Sequence, residues 1–431
     1  MELELPLALI KVLTVFVLIV IANRFKLDLG VSILFGTIAL GTAFGFPIFS
    51  TLKSMAISII EPLTLMLIIL VTLILVLNQL MSKSGAQQQL VNHLTLLANN
   101  VKVSLFALPA MIGLLPMPGG AFFSAPMVEE VSKDLPVTQE WRVLVNYWFR
   151  HIWEFWWPMY PGVILAVSLS EINLSKYIAM MFIFCPVAFI AGYVILLRPL
   201  KVTLPKASQA DSSDRVRKFL YHSLPVLLIL IVMAIFTLAT PLWKNRFIFT
   251  GNMAQYFPMF AGLFVSGAWV YKTGKLKVRD ISEAIFNKKI IMLLLLIVAV
   301  MAYKNVLLDC GAINQMNEEM RAQNIPLIAI VIILPFIAGL VMGLAVGFVG
   351  ASFPVVLGVI AGNPDFTSYI ILAYVSGYTG MMISPIHMCF VLTKNHFAGS
   401  KMEPIYQKLV ILCAVVFLFG LAYSAAFRIL S

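Results

Sequence analysis

The sequence predicts an all-α polytopic membrane protein built from two inverted-topology repeats, each holding five transmembrane helices and one re-entrant hairpin. Three observations carry that prediction. The 431 residues are 61% hydrophobic and only 11% charged, with a mean hydropathy of +0.98, too little polar surface for a water-soluble globule. The stretch PMPGGAFFSAP (116–126) shares a skeleton of Gly, four residues, Ser, one residue and Pro with GFVGASFP (347–354). Basic residues, finally, gather on alternate loops.

Apolar runs of about 17–25 residues can cross a hydrocarbon core about 30 Å thick. Ten occur, at roughly 5–23, 29–46, 58–80, 141–167, 177–197, 219–240, 254–271, 289–306, 367–393 and 406–428. Two further apolar stretches, 103–128 and 326–358, carry the Gly/Pro/Ser motifs and read as the hairpins. The first run follows MELELP, an acidic start with no basic region and no small-residue cleavage site, so it reads as a true span. The polar run 201–218 reads as a basic cytoplasmic linker between a first repeat, 1–200, and a second, 219–431.

The two halves keep one order: three spans, a broken stretch, a long span with its own break, a final span. SGAQQQ (84–89) follows the third span and CGAINQ (310–315) the eighth, with Asn78 and Asn305 ahead of them. LPAMIGL (108–114) matches LPFIAGL (334–340), and Ser124 to Pro158 covers nearly the same distance as Ser352 to Pro385. Five crossings is an odd number, so the second half is inverted relative to the first.

The net charge of +11 follows from topology. With both termini outside and the motif stretches returning without crossing, 21 Lys and Arg face the cytoplasm. Only six, Lys53, Lys176, Lys244, Arg246, Arg321 and Arg428, lie outside. That bias is the positive-inside pattern, not a nucleic-acid footprint, and a full crossing by 103–128 would put the basic linker on the wrong side. Cys185, Cys389 and Cys413 lie in apolar spans and Cys310 is alone in an outer loop, so neither a disulfide framework nor a metal-type pairing is expected.

Non-helical backbone at membrane depth is tolerated only against protein or a water-filled cavity. Pro118, Gly119 and Gly120 break one stretch, and Ser124 adds a hydroxyl just after the turn; Gly347 and Ser352 repeat the arrangement. The long spans carry breaks of their own, WWPMYPG (156–162) with Pro158, and SGYTGMMISP (376–385) with Ser376, Gly377, Thr379, Gly380 and Ser384. Helix N-termini at such breaks favour an anion, and freed carbonyls suit Na⁺ at the hairpin tips. No cofactor and no other metal are expected. For any single motif the bland reading is ordinary helix packing, with the serine bonded to its own i−4 carbonyl.

Arg150, His151 and Glu154 lie at mid-depth on the fourth span, where ionisable groups are functional candidates. Two readings stand: Arg150 as the counter-charge of an anion with Glu154 as a coupling group, or the two pairing on one helix face. His151 and His387 either titrate at the site or pack. Five of the seven tryptophans cluster on this span, as a pocket wall or as packing. Lys11 and Lys304 can snorkel to the outer interface, and Glu61 ahead of Pro62 reads as a helix-start residue.

The SGA after the third span, the serine-bearing hairpins and the two broken spans resemble the ion transporter superfamily, which includes gluconate, citrate and dicarboxylate permeases. LLPMPGGAFFSAP with YWFRHIWEFWWPMYPG is similar to a prokaryotic, DUF401-like branch of unknown function within it. The resemblance implies a homodimer with a scaffold of spans 1–3 and 6–8, a mobile unit of hairpins and spans 4, 5, 9 and 10, and organic anions driven by Na⁺ or H⁺. Where the better-known permeases carry Ser-Asn-Thr, this chain has Phe-Ser-Ala (123–125) and Ala-Ser-Phe (351–353), which points to a smaller or more apolar anion.

The expectation is therefore an elevator-type secondary transporter of a small organic anion, a carboxylate, in a prokaryotic cell membrane. The competing classes are a Na⁺/H⁺-type antiporter using Glu154 and His151, and an intramembrane serine hydrolase using Ser352 and His387. An enzyme is not favoured, because Ser124 has no matching histidine, and a phosphate loop for an ATP-driven pump is absent.

Overall fold

The computed structural model describes residues 7–97, 100–115, 119–200, 212–240 and 251–430. In chain order the helices are α1 (Leu7–Arg24), α2 (Leu29–Ala43), α3 (Ile48–Ile60), α4 (Pro62–Lys83), α5 (Ala86–Leu97), α6 (Val101–Gly113), α7 (Ala121–Ser132), α8 (Gln139–Arg150), α9 (Pro161–Ser170), α10 (Leu174–Met181) and α11 (Phe184–Gly192). Then come α12 (Ser212–Leu238), α13 (Phe257–Thr273), α14 (Val278–Ile285), α15 (Lys288–Asp309), α16 (Ala312–Ala322), α17 (Leu327–Met342), α18 (Ala345–Ile360), α19 (Phe366–Ile383), α20 (Met388–His396) and α21 (Met402–Leu430). No strand occurs among the described residues.

Among the described residues, seven segments are long and apolar enough to cross a membrane, including Pro62–Lys83, Lys288–Asp309 and Phe366–His396. At 1.5 Å per residue, the 22 residues of α4 span about 33 Å. The motif-bearing helices are much shorter. With 13 residues in α6 and 12 in α7, each reaches only about 18–20 Å. Local chemistry sets the starts: Asp28 accepts from the Gly30 amide, Asn100 from Lys102, and Thr138 from Trp141, while proline opens α4 and α9.

Stretches between the expected spans and hairpins are helical too, as α3, α5, α14 and α16. α3 packs on α15, with Ser54 donating to Asp309 at 2.7 Å. The amphipathic α14 lies on the end of α4, where Lys83 meets Asp280 at 3.1 Å and Glu283 at 2.6 Å. Of the expected linker, 201–211 lies outside the described residues, and Ser212 to Lys218 already form the first turns of α12.

One group of helices, α2, α3, α4, α13 and α15, packs together, with α12 on α13. In the other, α6 and α7 pack on α8, and α17 packs on α19. The exchange between the two motif regions is crossed: α7 lies on α20, while α18 lies on α9. The helix that leaves each motif therefore rests on the resumed half of the broken span from the other half of the chain.

Candidate functional site

The fourth span stops earlier than its Trp-Trp-Pro stretch suggests. Helix α8 ends at Arg150 with His151 as its C-cap, and residues 151–156 turn before the helix resumes at Pro161. Arg150 and Glu154 therefore do not share one helix face, and the expectation of an i,i+4 pair loses its geometric basis. Glu154 Oε1 stands 3.9 Å from His151 Nε2 instead. The guanidinium lies on the α6–α7 turn: a Cβ at Gly120 would sit 2.5 Å from Arg150 Nη2 and 2.7 Å from its Cζ. Only glycine leaves that room. Arg150, His151 and Glu154 are all buried.

Aromatic donors supply the hydrogen bonds that the broken backbone lacks. Trp153 Nε1 donates to the Ala110 carbonyl at 2.7 Å, Trp157 Nε1 to Leu114 at 3.0 Å, and the Tyr160 hydroxyl to Gly113. Tyr374 donates to the Glu154 carbonyl at 2.7 Å and Tyr378 to that of His151 at 3.3 Å. Higher on the same span, Trp141 and Trp148 donate to Leu196 and Ala188. Trp153 and Trp157 thus reach carbonyls at the end of α6, while Trp148 reaches one inside α11. Three carbonyls of the incoming arm, expected to face Na⁺ at the first tip, accept from Trp153, Trp157 and Tyr160.

The ninth span also differs from expectation. Ser376, Gly377, Thr379 and Gly380 lie within the continuous helix α19, not in an unwound segment. Their smallness lets α17 and α18 approach closely: a Cβ at Gly380 would strike the Phe336 carbonyl of α17, one at Gly377 the Phe348 ring of α18, and one at Gly339 of α17 the Gly377 carbonyl. Ser376 Oγ donates to Ile332 at 2.6 Å and Thr379 Oγ1 to Ser376 at 2.8 Å. The break itself is short, from Ser384 to His387.

Both motif turns meet these breaks. Gly343, with φ of +62°, turns the chain between α17 and α18; a Cβ there would lie 3.0 Å from His387 Cα and 3.1 Å from Ser384 Oγ. Gly119, with φ of +81°, faces Leu392 of α20, and Gly162 of the resumed fourth span faces Ala345 at the start of α18. Pro158 is buried in the fourth-span break, Gly347 sits in the first turn of α18 against Met342, and Pro118 lies outside the described residues.

Ser124 and Ser352 are buried, and each hydroxyl donates to its own i−4 carbonyl, Gly120 at 3.5 Å and Phe348 at 2.6 Å. Ser384 differs: its buried hydroxyl finds no hydrogen-bond partner among the described residues. His387 does not turn to Ser352; its Nε2 faces His151 Nε2 at 3.2 Å, so no Ser/His dyad is assembled. Cys389, passed over in the sequence, joins these histidines. The only signal for it is the His-x-Cys spacing at 387–389.

Broken helices meeting tip to tip inside an apolar helical bundle define a multi-pass membrane protein with a buried polar centre. The chain belongs to the DUF401 family, described as a protein of unknown function, whose model matches residues 7–425. No curated protein matches the chain. Among solved structures, the crystal structure of the YdaH transporter of Alcanivorax borkumensis, noted for an unusual topology, is similar with a TM-score of 0.51 and 12% identity, covering 84% of this chain and 83% of that one. At that identity the likeness is one of fold.

Proposed function

We propose that the protein is a secondary active transporter of a small organic anion, a carboxylate, coupled to Na⁺ or H⁺ and working by elevator-type alternating access. The observation that carries this reading is the Arg150 guanidinium pressed on Gly120, where the α6–α7 turn meets the fourth-span break. A buried cation at the N-terminus of α7 suits an anion twice over, through its charge and through the helix dipole. The likeness to the YdaH transporter supports the same class.

The re-entrant reading of both motif stretches rests on depth. His396 meets Glu129 at 2.7 Å, and the Lys401 amide donates to Glu140 at 2.8 Å, so the end of α7 and the start of α8 share one face. Arg150 lies about 16 Å along α8 from that face, which puts the α6–α7 turn at mid-depth. The α17–α18 pair reaches the centre from the other face, where the Gly358 carbonyl accepts from Asn317. Two hairpins entering from opposite faces is the arrangement two inverted repeats produce. On this reading the scaffold is the α2, α3, α4, α13 and α15 group, and the protein works as a homodimer in a prokaryotic cell membrane.

The test is uptake in proteoliposomes, preceded by a thermal-stability screen of mono- and dicarboxylates, sugar acids and amino acids with Na⁺ or K⁺. A ligand at a hundred times its Kd stabilises the native state by about 2.7 kcal/mol. The expected result is an anion that stabilises the wild type and not Arg150→Gln. Stabilisation by Na⁺ alone, with Na⁺-dependent ΔpH dissipation and no organic solute, would overturn it in favour of the antiporter. That second reading draws on Glu154 standing beside His151.

A further inference from the structure

His151 caps the first half of the fourth span, His387 caps the second half of the ninth, and Cys389 lies two residues further on. All three are buried, and one ligand atom from each lies within 4.8 Å of the others. Each histidine is oriented from behind. His151 Nδ1 is 2.5 Å from the Tyr147 carbonyl and His387 Nδ1 is 3.4 Å from that of Met381. A carbonyl only accepts, so both Nδ1 atoms carry the hydrogen and both neutral rings aim an Nε2 lone pair inward. Those two nitrogens face each other at 3.2 Å. Two lone pairs at that distance repel unless a proton or a metal ion sits between them, and backbone-held Nδ1–H groups are how metal-binding histidines are positioned.

The spacing fits one class of ion. Imidazole nitrogens bound at about 2.0–2.1 Å in a tetrahedron stand about 3.3–3.4 Å apart, and a thiolate at about 2.3 Å stands about 3.6 Å from each. The observed nitrogen pair matches, and the sulfur needs a contraction of about an ångström or less. Glu154 Oε1 stands 3.9 Å from His151 Nε2, outside that three-atom group, and a side-chain rotation would bring it in as the fourth ligand. Two nitrogens, a sulfur and one carboxylate oxygen suit zinc and exclude Na⁺ or Mg²⁺, which take oxygen.

We propose that His151, His387, Cys389 and Glu154 form a Zn²⁺ site that joins the fourth and ninth spans where their helices are interrupted. The thiolate and carboxylate would neutralise the ion.

The experiment uses tag-free full-length protein in detergent, stripped with chelator and titrated with Co²⁺, then Zn²⁺. One equivalent of Co²⁺ should give tetrahedral d–d bands and a near-ultraviolet thiolate-to-cobalt band, both displaced by Zn²⁺. Cys389→Ser should remove the thiolate band and Cys413→Ser should keep it, while His387→Gln should weaken binding at least tenfold. A cobalt spectrum without a thiolate band, or one that survives Cys389→Ser, overturns the site. Should Cys389→Ser fail to fold, X-ray absorption of wild-type protein with one Zn²⁺ decides: one sulfur and two imidazoles support the site, and an all-oxygen shell refutes it. None of these readouts involves transport, so they stand or fall apart from the anion reading.

Discussion

Two glycines seven residues apart make opposite predictions at the scale of single residues. A Cβ at Gly113 would strike the backbone carbonyl of Arg150, whereas one at Gly120 would strike only the far end of its side chain. Gly113→Ala should therefore lower stability by about 1–3 kcal/mol, the usual penalty of overpacking against something that cannot move. Gly120→Ala should leave the melting temperature nearly unchanged while displacing the guanidinium, so that anion-dependent stabilisation disappears. Equal melting losses in the two variants would count against the seating of Arg150. Ser384 offers a third case. Because its buried hydroxyl lacks a partner, Ser384→Ala should cost no stability, yet weaken anion binding about fivefold if the hydroxyl meets the ligand, the worth of one hydrogen bond of about 1 kcal/mol. Unchanged affinity would remove Ser384 from the site. The sequence named all three of these residues' neighbourhoods, but it could not separate the paired serines from the orphan, since that depends on which carbonyl each hydroxyl finds.

At the scale of elements, the broken spans survive because side chains replace lost backbone bonds. Trp153, Trp157 and Tyr160 lie within eight residues and reach three carbonyls at the end of α6. Leaving one such carbonyl buried and unsatisfied costs about 1–3 kcal/mol, so Trp157→Phe should lower thermal stability by that amount although the ring is largely kept. Trp141→Phe, which frees the Leu196 carbonyl, is the comparison outside the break and should not disturb anion binding. The tryptophan cluster was visible in the sequence; its purpose was not, because the partners lie 43 residues upstream. The same limit applies to the glycines of α19, which as a string resemble a break and in the bundle serve close helix contact.

For the whole molecule, contacts sort the chain onto two faces. Glu319 accepts from the Ala8 and Leu9 amides, Glu61 from Asn305, and Arg428 lies 3.7 Å from Asp365. The start of α1 and the end of α21 therefore share a face, and Lys83 with α14, and Lys401, occupy the other. Single cysteines at Lys53 and Ala361 in a Cys310→Ser background should label from one side of the membrane with an impermeant thiol reagent, and cysteines at Arg279 and Lys401 from the other. Labelling of Ala361 with Lys401 would break the inverted arrangement. The positive-inside count predicts that reagent added from the cytoplasmic side reaches Arg279 and Lys401.

Composition and motif spacing by themselves determined a multi-pass helical protein, because the hydrophobic requirement of a bilayer acts on every residue locally and leaves its mark as runs of fixed length. They also marked the neighbourhoods of the breaks, since Pro and Gly act on their own dihedrals, though not the residues at which the helices stop. What the breaks do was decided only in three dimensions. The fourth span ends at Arg150 rather than at Pro158, because a helix stops where neighbouring donors can take over its carbonyls, and those donors are chosen by packing. The meeting of His151 with His387 and Cys389 spans 236 residues of sequence, a juxtaposition that no local propensity encodes.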